Sequence, residues 1–177
     1  MNNETLLENL RIVPDFPIKG IQFYDVTTLF KNNECLKEIE NRLYDLYKDK
    51  GITKVVGIES RGFVMGAILA SKLGAGFVMA RKPGKLPADV LEQSYGKEYG
   101  TDRIQIHLDA ITDQDTVLIH DDLIATGGSL KAVYDLVNKF NPKKTYVNVI
   151  LEMVDLHGRD VFGPEVELTS LLDLHGE

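Results

Sequence analysis

The chain has 177 residues, 44% hydrophobic and 27% charged, a balance that fits one globular domain with a core of its own. Its net charge of −7 excludes the long basic face that a nucleic-acid duplex requires, yet leaves room for a small anion held by local cations and backbone amides. The single cysteine, Cys35, cannot close an intrachain disulfide, which fits a reducing cytoplasm, and no apolar run reaches the roughly 20 residues of a membrane span.

The N-terminus, Met1-Asn2-Asn3-Glu4, is polar and lacks the basic and apolar regions of a secretory signal. Leu36, Ile39, Leu43, Leu46 and Tyr47 recur at helical spacing, and Gly51 closes that segment. Lys54–Ile58 then reads as a short buried strand ending at Glu59-Ser60-Arg61-Gly62, after which Phe63–Leu73 continues as a helix stopped by Gly74. Gly76–Ala80 is a second apolar strand. A long insertion, Arg81–Asp113, opens on Arg81-Lys82-Pro83-Gly84-Lys85-Leu86-Pro87 and carries β-like runs around Gly96 and Gly100. In it Ile104, Ile106 and Leu108 alternate with Gln105, His107 and Asp109, as one arm of a hairpin does; a long patterned loop of this kind predicts a lid. Thr116–His120 is a third strand, followed by a polar turn and a helix from about Ser129 to Phe140, and Tyr146–Leu151 is a fourth strand. Strands alternating with helices predict βαβ units and a parallel sheet. The ligand site of such a sheet lies at the carboxyl ends of its strands, where the polar clusters fall.

The sharpest local signal is Val117-Leu118-Ile119-His120-Asp121-Asp122-Leu123-Ile124-Ala125-Thr126-Gly127-Gly128-Ser129. The glycines let backbone approach a ligand closely, and unpaired N–H groups at the start of a helix bind a phosphate dianion, helped by the Thr126 and Ser129 hydroxyls. The two carboxylates would repel that phosphate, so they face something else. Ribose hydroxyls donate to carboxylates, and magnesium seeks oxygen. A phosphate site a few residues from a diol site has the dimensions of a ribose 5-phosphate. No Walker lysine motif is present, and Gly74-Ala75-Gly76 lacks the third glycine of a dinucleotide fingerprint.

His120-Asp121-Asp122-Leu123-Ile124-Ala125-Thr126-Gly127-Gly128-Ser129 resembles the phosphoribosyl pyrophosphate motif of the type I phosphoribosyltransferases. Further segments extend the likeness to the adenine-using branch of that family along nearly the whole chain: Pro14-Asp15-Phe16-Pro17, Gly20-Ile21-Gln22-Phe23-Tyr24-Asp25, Gly57–Phe63, Arg81–Pro87, Tyr95–Gly100 and Leu156-His157-Gly158-Arg159. The resemblance implies an α/β fold with a central, mostly parallel sheet flanked by helices. One domain over 1–177 would carry a small N-terminal hood (about 1–33) and a β-hairpin flap (about 82–110). It also implies a magnesium-dependent, cytoplasmic homodimer without nucleic-acid or membrane partners. Its reaction would transfer 5-phosphoribosyl from phosphoribosyl pyrophosphate to N9 of adenine, giving AMP and pyrophosphate. The rivals are an enzyme for another base and a sensor that keeps the fold without catalysis; the acidic charge and the absence of a DNA-binding segment weigh against the second.

Carried onto this sequence, the resemblance assigns the ribose 5-phosphate to Asp121, Asp122, Ala125, Thr126, Gly127, Gly128 and Ser129. It assigns pyrophosphate to Glu59, Ser60, Arg61, Arg81, Lys82 and Lys85, with a cis peptide near Glu59-Ser60. Adenine falls to Gln22, Phe23 and Tyr24, the Phe23 ring stacking on the purine and the neighbouring backbone reading its edge. Magnesium is held mainly by substrate, with Asp121 or Asp122 as a further ligand. Arg61 and Glu98 are the catalytic pair, Glu98 exchanging a proton with N7 of the purine. Three positions depart from the family pattern: Tyr24 where Arg or Lys is common, His120 where an apolar residue is commoner, and Ser129 in place of Thr.

Overall fold

The computed structural model describes residues 2–97 and 100–175. In chain order the elements are α1 (Asn3–Glu8), β1 (Arg11–Pro14), β2 (Gln22–Asp25), α2 (Thr27–Lys31), α3 (Asn33–Tyr47), β3 (Lys54–Ile58) and α4 (Gly62–Leu73). There follow β4 (Gly76–Ala80), β5 (Val90–Lys97), β6 (Gly100–His107), β7 (Thr116–Ile124), α5 (Gly128–Asn138), β8 (Lys144–Met153) and β9 (Leu168–Leu174). Two 3₁₀ turns, Val154–Leu156 and Gly158–Val161, join the last two strands. Local chemistry sets several boundaries. Asn32 caps α3 by accepting from the Glu34 and Cys35 amides, and Gly74 ends α4 in the left-handed conformation at φ +69°.

Five strands form one sheet in the order β4-β3-β7-β8-β9, and every neighbouring pair is parallel. Parallel strands covered on both faces need apolar side chains on both, and successive residues of β7 divide accordingly. Val117 and Ile119 enter a core shared with α5 and the β5–β6 hairpin. Leu118 enters a second core built with α1, α3 and α4, where Cys35 is buried as a small apolar residue. The β1–β2 and β5–β6 hairpins are separate antiparallel pairs.

The structure extends or shifts the sequence reading at β7, α5 and the last strand, among other elements. β7 runs on through Ile124, so both acids sit in the strand and the turn is confined to Ala125-Thr126-Gly127. The helix after it covers Gly128–Asn138, starting and ending earlier than its apolar spacing indicates. Leu168–Leu174 is a fifth strand that the sequence reading leaves unassigned. Only Leu168 and Leu172 in it are buried, so it lacks the continuous apolar run of the inner strands. No helix among the described residues is long and apolar enough to cross a membrane.

Candidate active site

The order of the sheet reverses beside β3. β4 pairs on one side of it and β7 on the other, so the loops leaving β3 and β7 diverge and open a crevice at their carboxyl ends. A cleft of about 910 Å³ fills that crevice. It is lined by Glu59, Ser60 and Arg61 after β3, Lys82 after β4, Tyr95 and Gly96 from β5, and the run from Asp121 to Leu130. The structure therefore brings the acid pair, the glycine turn and two of the expected cations to one place.

At the floor of the cleft β7 ends and α5 begins. Gly127 is the helix cap at φ +82°, and no side chain caps the first turn. The amides of that turn have no partner among the described residues, and with the positive end of the helix dipole they stand at the cleft wall, with Thr126 and Ser129 exposed at the rim. A side chain at Gly127 is excluded twice, by its left-handed backbone and by the Gly158 carbonyl, which would stand 2.3 Å from a Cβ. This close contact with the Gly158 turn is a tertiary demand that the sequence motif does not show.

The carboxylates are buried, Asp121 at 9% and Asp122 at 5% exposure. Asp122 accepts from Arg61 Nε at 2.5 Å, and Asp121 Oδ1 accepts the Asp122 backbone N–H at 2.9 Å. Burial, together with the negative Asp122 beside it, pushes Asp121 well above the ordinary carboxylate range. Arg61 also lies over the Phe23 ring at 5.1 Å, tying the β1–β2 hairpin to the acid pair. The Glu59–Ser60 peptide is cis.

The second cationic group is divided. Arg81 donates to the Glu59 carboxylate through Nη2 at 3.0 Å and Nε at 3.3 Å, and the Lys82 backbone N–H donates to it at 3.0 Å. The Arg81 hydrogen bond holds Glu59 below its usual range. Lys82 lines the cleft, while Arg81 and Lys85 stand outside it. Lys82 Nζ lies 3.4 Å from Asp102, which also accepts the Tyr95 hydroxyl at 3.3 Å; burial pushes Tyr95 up to about 12. Sequence reading gives Tyr95 no role of its own and passes over Asp102, because only the β5–β6 register sets these residues face to face.

Phe23 meets Phe16 edge-on at 5.2 Å, Gln22 is exposed, and Tyr24 packs at the edge of the second core. Gln22, Phe23 and Tyr24 do not line the cleft, and of the three Phe23 is joined to it through the Arg61 guanidinium. Glu98 lies outside the described residues. Among the described residues no cluster of three His, Cys, Asp or Glu could hold a metal ion.

His120, one residue before the acids, is fully buried. Its Nδ1 is 2.9 Å from Asn148 Oδ1, Asn148 Nδ2 donates to Thr169 Oγ1 at 2.9 Å, and that hydroxyl is 2.6 Å from the Tyr47 hydroxyl. His120 and Asn148 are register partners, as are Asn148 and Thr169, so the chain crosses β7, β8 and β9 at one level. Burial lowers His120 to about 4, which makes Nδ1–H the donor of a neutral ring. The opposite nitrogen, Nε2, has no hydrogen-bond partner among the described residues.

A five-stranded parallel sheet with an acid pair feeding a glycine turn and a helix start at its switch point defines a phosphoribosyl-handling class, and comparison agrees. Residues 25–155 match the Phosphoribosyl transferase domain, and the chain belongs to that family. Adenine phosphoribosyltransferases are among its relatives there. The one from Bacteroides thetaiotaomicron is 63% identical over 174 residues, covering 98% of this chain and 99% of the relative. The crystal structure of adenine phosphoribosyltransferase from Rhodothermus marinus superposes with a TM-score of 0.92 at 46% identity, covering 97% of each chain. That of the Giardia lamblia enzyme complexed with 9-deazaadenine gives 0.93 at 39% identity, covering 99% of each.

Proposed function

We propose that this enzyme transfers the 5-phosphoribosyl group of phosphoribosyl pyrophosphate to N9 of adenine, releasing AMP and pyrophosphate. The observation that carries the reading is the floor of the cleft, where the acid pair of β7 leads through Ala125-Thr126-Gly127 into the uncapped start of α5. The 5-phosphate sits on the amides of that turn, joined by the Thr126 and Ser129 hydroxyls and the Gly128 backbone. The ribose hydroxyls donate to Asp121 and Asp122. A buried carboxylate that resists ionisation is suited to this task, because hydroxyl donors or a cation stabilise the charge that burial penalises.

Bond breaking at C1 passes through a transition state with oxocarbenium character, so rate depends on stabilising the departing pyrophosphate and excluding water. Arg61 and Lys82 line the wall where that charge develops, with the Glu59 and Ser60 backbone beside them. Arg61 must share or release Asp122 to serve it. Arg81 and Lys85, at the foot of the flap, are a second cationic group for the same anion. Phe23 stacks on the purine, with Gln22 and Tyr24 backbone groups reading N1 and N6, and Arg61 connects that ring to the phosphate side. Glu98 on the flap exchanges the N7 proton.

Magnesium fits the acid pair as a substrate-borne ion. Two carboxylates, without a third acid or histidine grouped with them among the described residues, suit a hard cation that takes its remaining oxygens from phosphates; Asp121 or Asp122 would be its protein ligand, and its charge would offset that of the pyrophosphate. The whole chain acts as one domain with hood and flap, as a cytoplasmic homodimer. A spectrophotometric assay with phosphoribosyl pyrophosphate, magnesium and adenine, hypoxanthine, guanine, xanthine or uracil tests the reading. Turnover of adenine is expected, and turnover of another base without adenine refutes it.

A further inference from the structure

Leu156-His157-Gly158-Arg159 takes no part in the chemistry above, yet its turn lies directly behind the phosphate loop. A Cβ at Gly158 would fall 2.1 Å from the Ala125 carbonyl oxygen, and one at Gly127 would fall 2.3 Å from the Gly158 carbonyl oxygen. The two backbones are thus in direct contact, with no side chain between them to absorb a displacement.

Arg159 holds this turn to the edge of the sheet. Its Nε donates to Glu152 Oε1 at 3.0 Å, its Nη2 donates to Glu152 Oε2, and its Nη1 donates to the Leu168 carbonyl at 2.5 Å. Glu152 is 7% exposed and is the register partner of Ile124, the residue immediately before Ala125. One guanidinium therefore joins the end of β8, the start of β9 and the turn that presses on the phosphate loop. A bidentate arginine–carboxylate pair with a third bond to a carbonyl fixes position in all three directions, which a lone point charge does not.

We infer that Arg159 is a positioning residue: through Glu152 and Leu168 it sets the height of the Gly158 turn, and that turn sets the Ala125–Gly127 backbone against the 5-phosphate. The inference rests on the phosphate-loop reading given above. An ion pair that only stabilised the β8–β9 connection would lower the melting temperature without changing affinity in the folded protein.

The test is calorimetric titration of ribose 5-phosphate into wild-type protein and into Arg159→Met, Arg159→Lys and Glu152→Gln, with melting curves for each. Arg159→Met is expected to fold and to bind ribose 5-phosphate about ten- to hundredfold more weakly, the range for losing one good hydrogen bond to a charged phosphate. Arg159→Lys should fall between the two, since an ammonium cannot meet both Glu152 oxygens and the Leu168 carbonyl together. If the methionine variant does not fold, Glu152→Gln carries the test. It retains the shape and one acceptor, and a loss of about threefold or more is expected. Folded variants whose affinity stays within about twofold of wild type overturn the positioning role and leave the site reading intact. Wild-type protein that binds no ribose 5-phosphate overturns the site reading and the positioning role with it.

Discussion

Gly127→Ala is the sharpest perturbation of the phosphate loop, because two independent penalties meet at one atom. The residue sits at φ +82°, and a side chain there costs roughly 1–2 kcal/mol from the left-handed conformation alone. The new Cβ would also stand 2.3 Å from the Gly158 carbonyl oxygen and 2.9 Å from Val161 Cγ2, where ordinary contact begins at 3.4 Å. The two backbones must therefore part by about 1 Å, an overpacking that costs roughly a further 1–3 kcal/mol. In a chain of this length a loss of roughly 2–5 kcal/mol lowers the melting temperature by about 4–20 °C. The same shift moves the amides that hold the phosphate, so affinity for ribose 5-phosphate and KM for phosphoribosyl pyrophosphate should worsen by about tenfold or more, the loss of one charge-assisted hydrogen bond, while KM for adenine changes little. Differential scanning fluorimetry and steady-state kinetics read both effects. A Gly127→Ala protein with the wild-type melting temperature and wild-type KM for phosphoribosyl pyrophosphate would refute the close-contact argument and the placement of the phosphate.

Asp121→Asn should raise the melting temperature of the ligand-free protein at pH 7 while reducing ribose 5-phosphate binding. The carboxyl is pushed up in the folded state, so the unfolded chain releases its proton first and stability drains away as pH rises above about 3.8, the ordinary Asp value. The gap between variant and wild type should close near pH 4, and a variant less stable than wild type at pH 7 sinks this account. His120 works in the opposite direction. Its folded-state value of about 4 against 6.5 means that the unfolded chain takes up a proton first as pH falls, costing about 3 kcal/mol between pH 7 and pH 4. Urea titrations of His120→Gln should show that part of the slope gone, and identical slopes would show that the ring is not held neutral. Glu98→Ala should lower kcat far more than substrate affinity; a kcat within about twofold of wild type, worth ~0.4 kcal/mol of barrier, excludes its proton transfer.

Local patterns determined a good deal by themselves. Val55–Ile58 is an apolar run buried along its length because both faces of that inner parallel strand are covered. Gly76–Ala80 is apolar although Met79 stays exposed at the sheet edge, and the structure places strands at both. The helix between them is marked by its terminal Gly74. The acid pair and glycine turn were legible as a candidate phosphate and diol site because that chemistry lies within thirteen consecutive residues of one strand-to-helix passage, and the structure places them on the floor of one cleft. The weakly apolar edge strand Leu168–Leu174 was not legible, since its hydrogen bonds come from β8 and few of its side chains need burial. Only the tertiary structure decided which charges meet. Arg61 turns to Asp122 and Phe23, Arg81 turns to Glu59, Lys82 reaches Asp102, and Arg159 reaches Glu152 and Leu168. A long cation can reach any acid that the fold brings near, and sheet order and register, rather than spacing along the chain, bring these acids near.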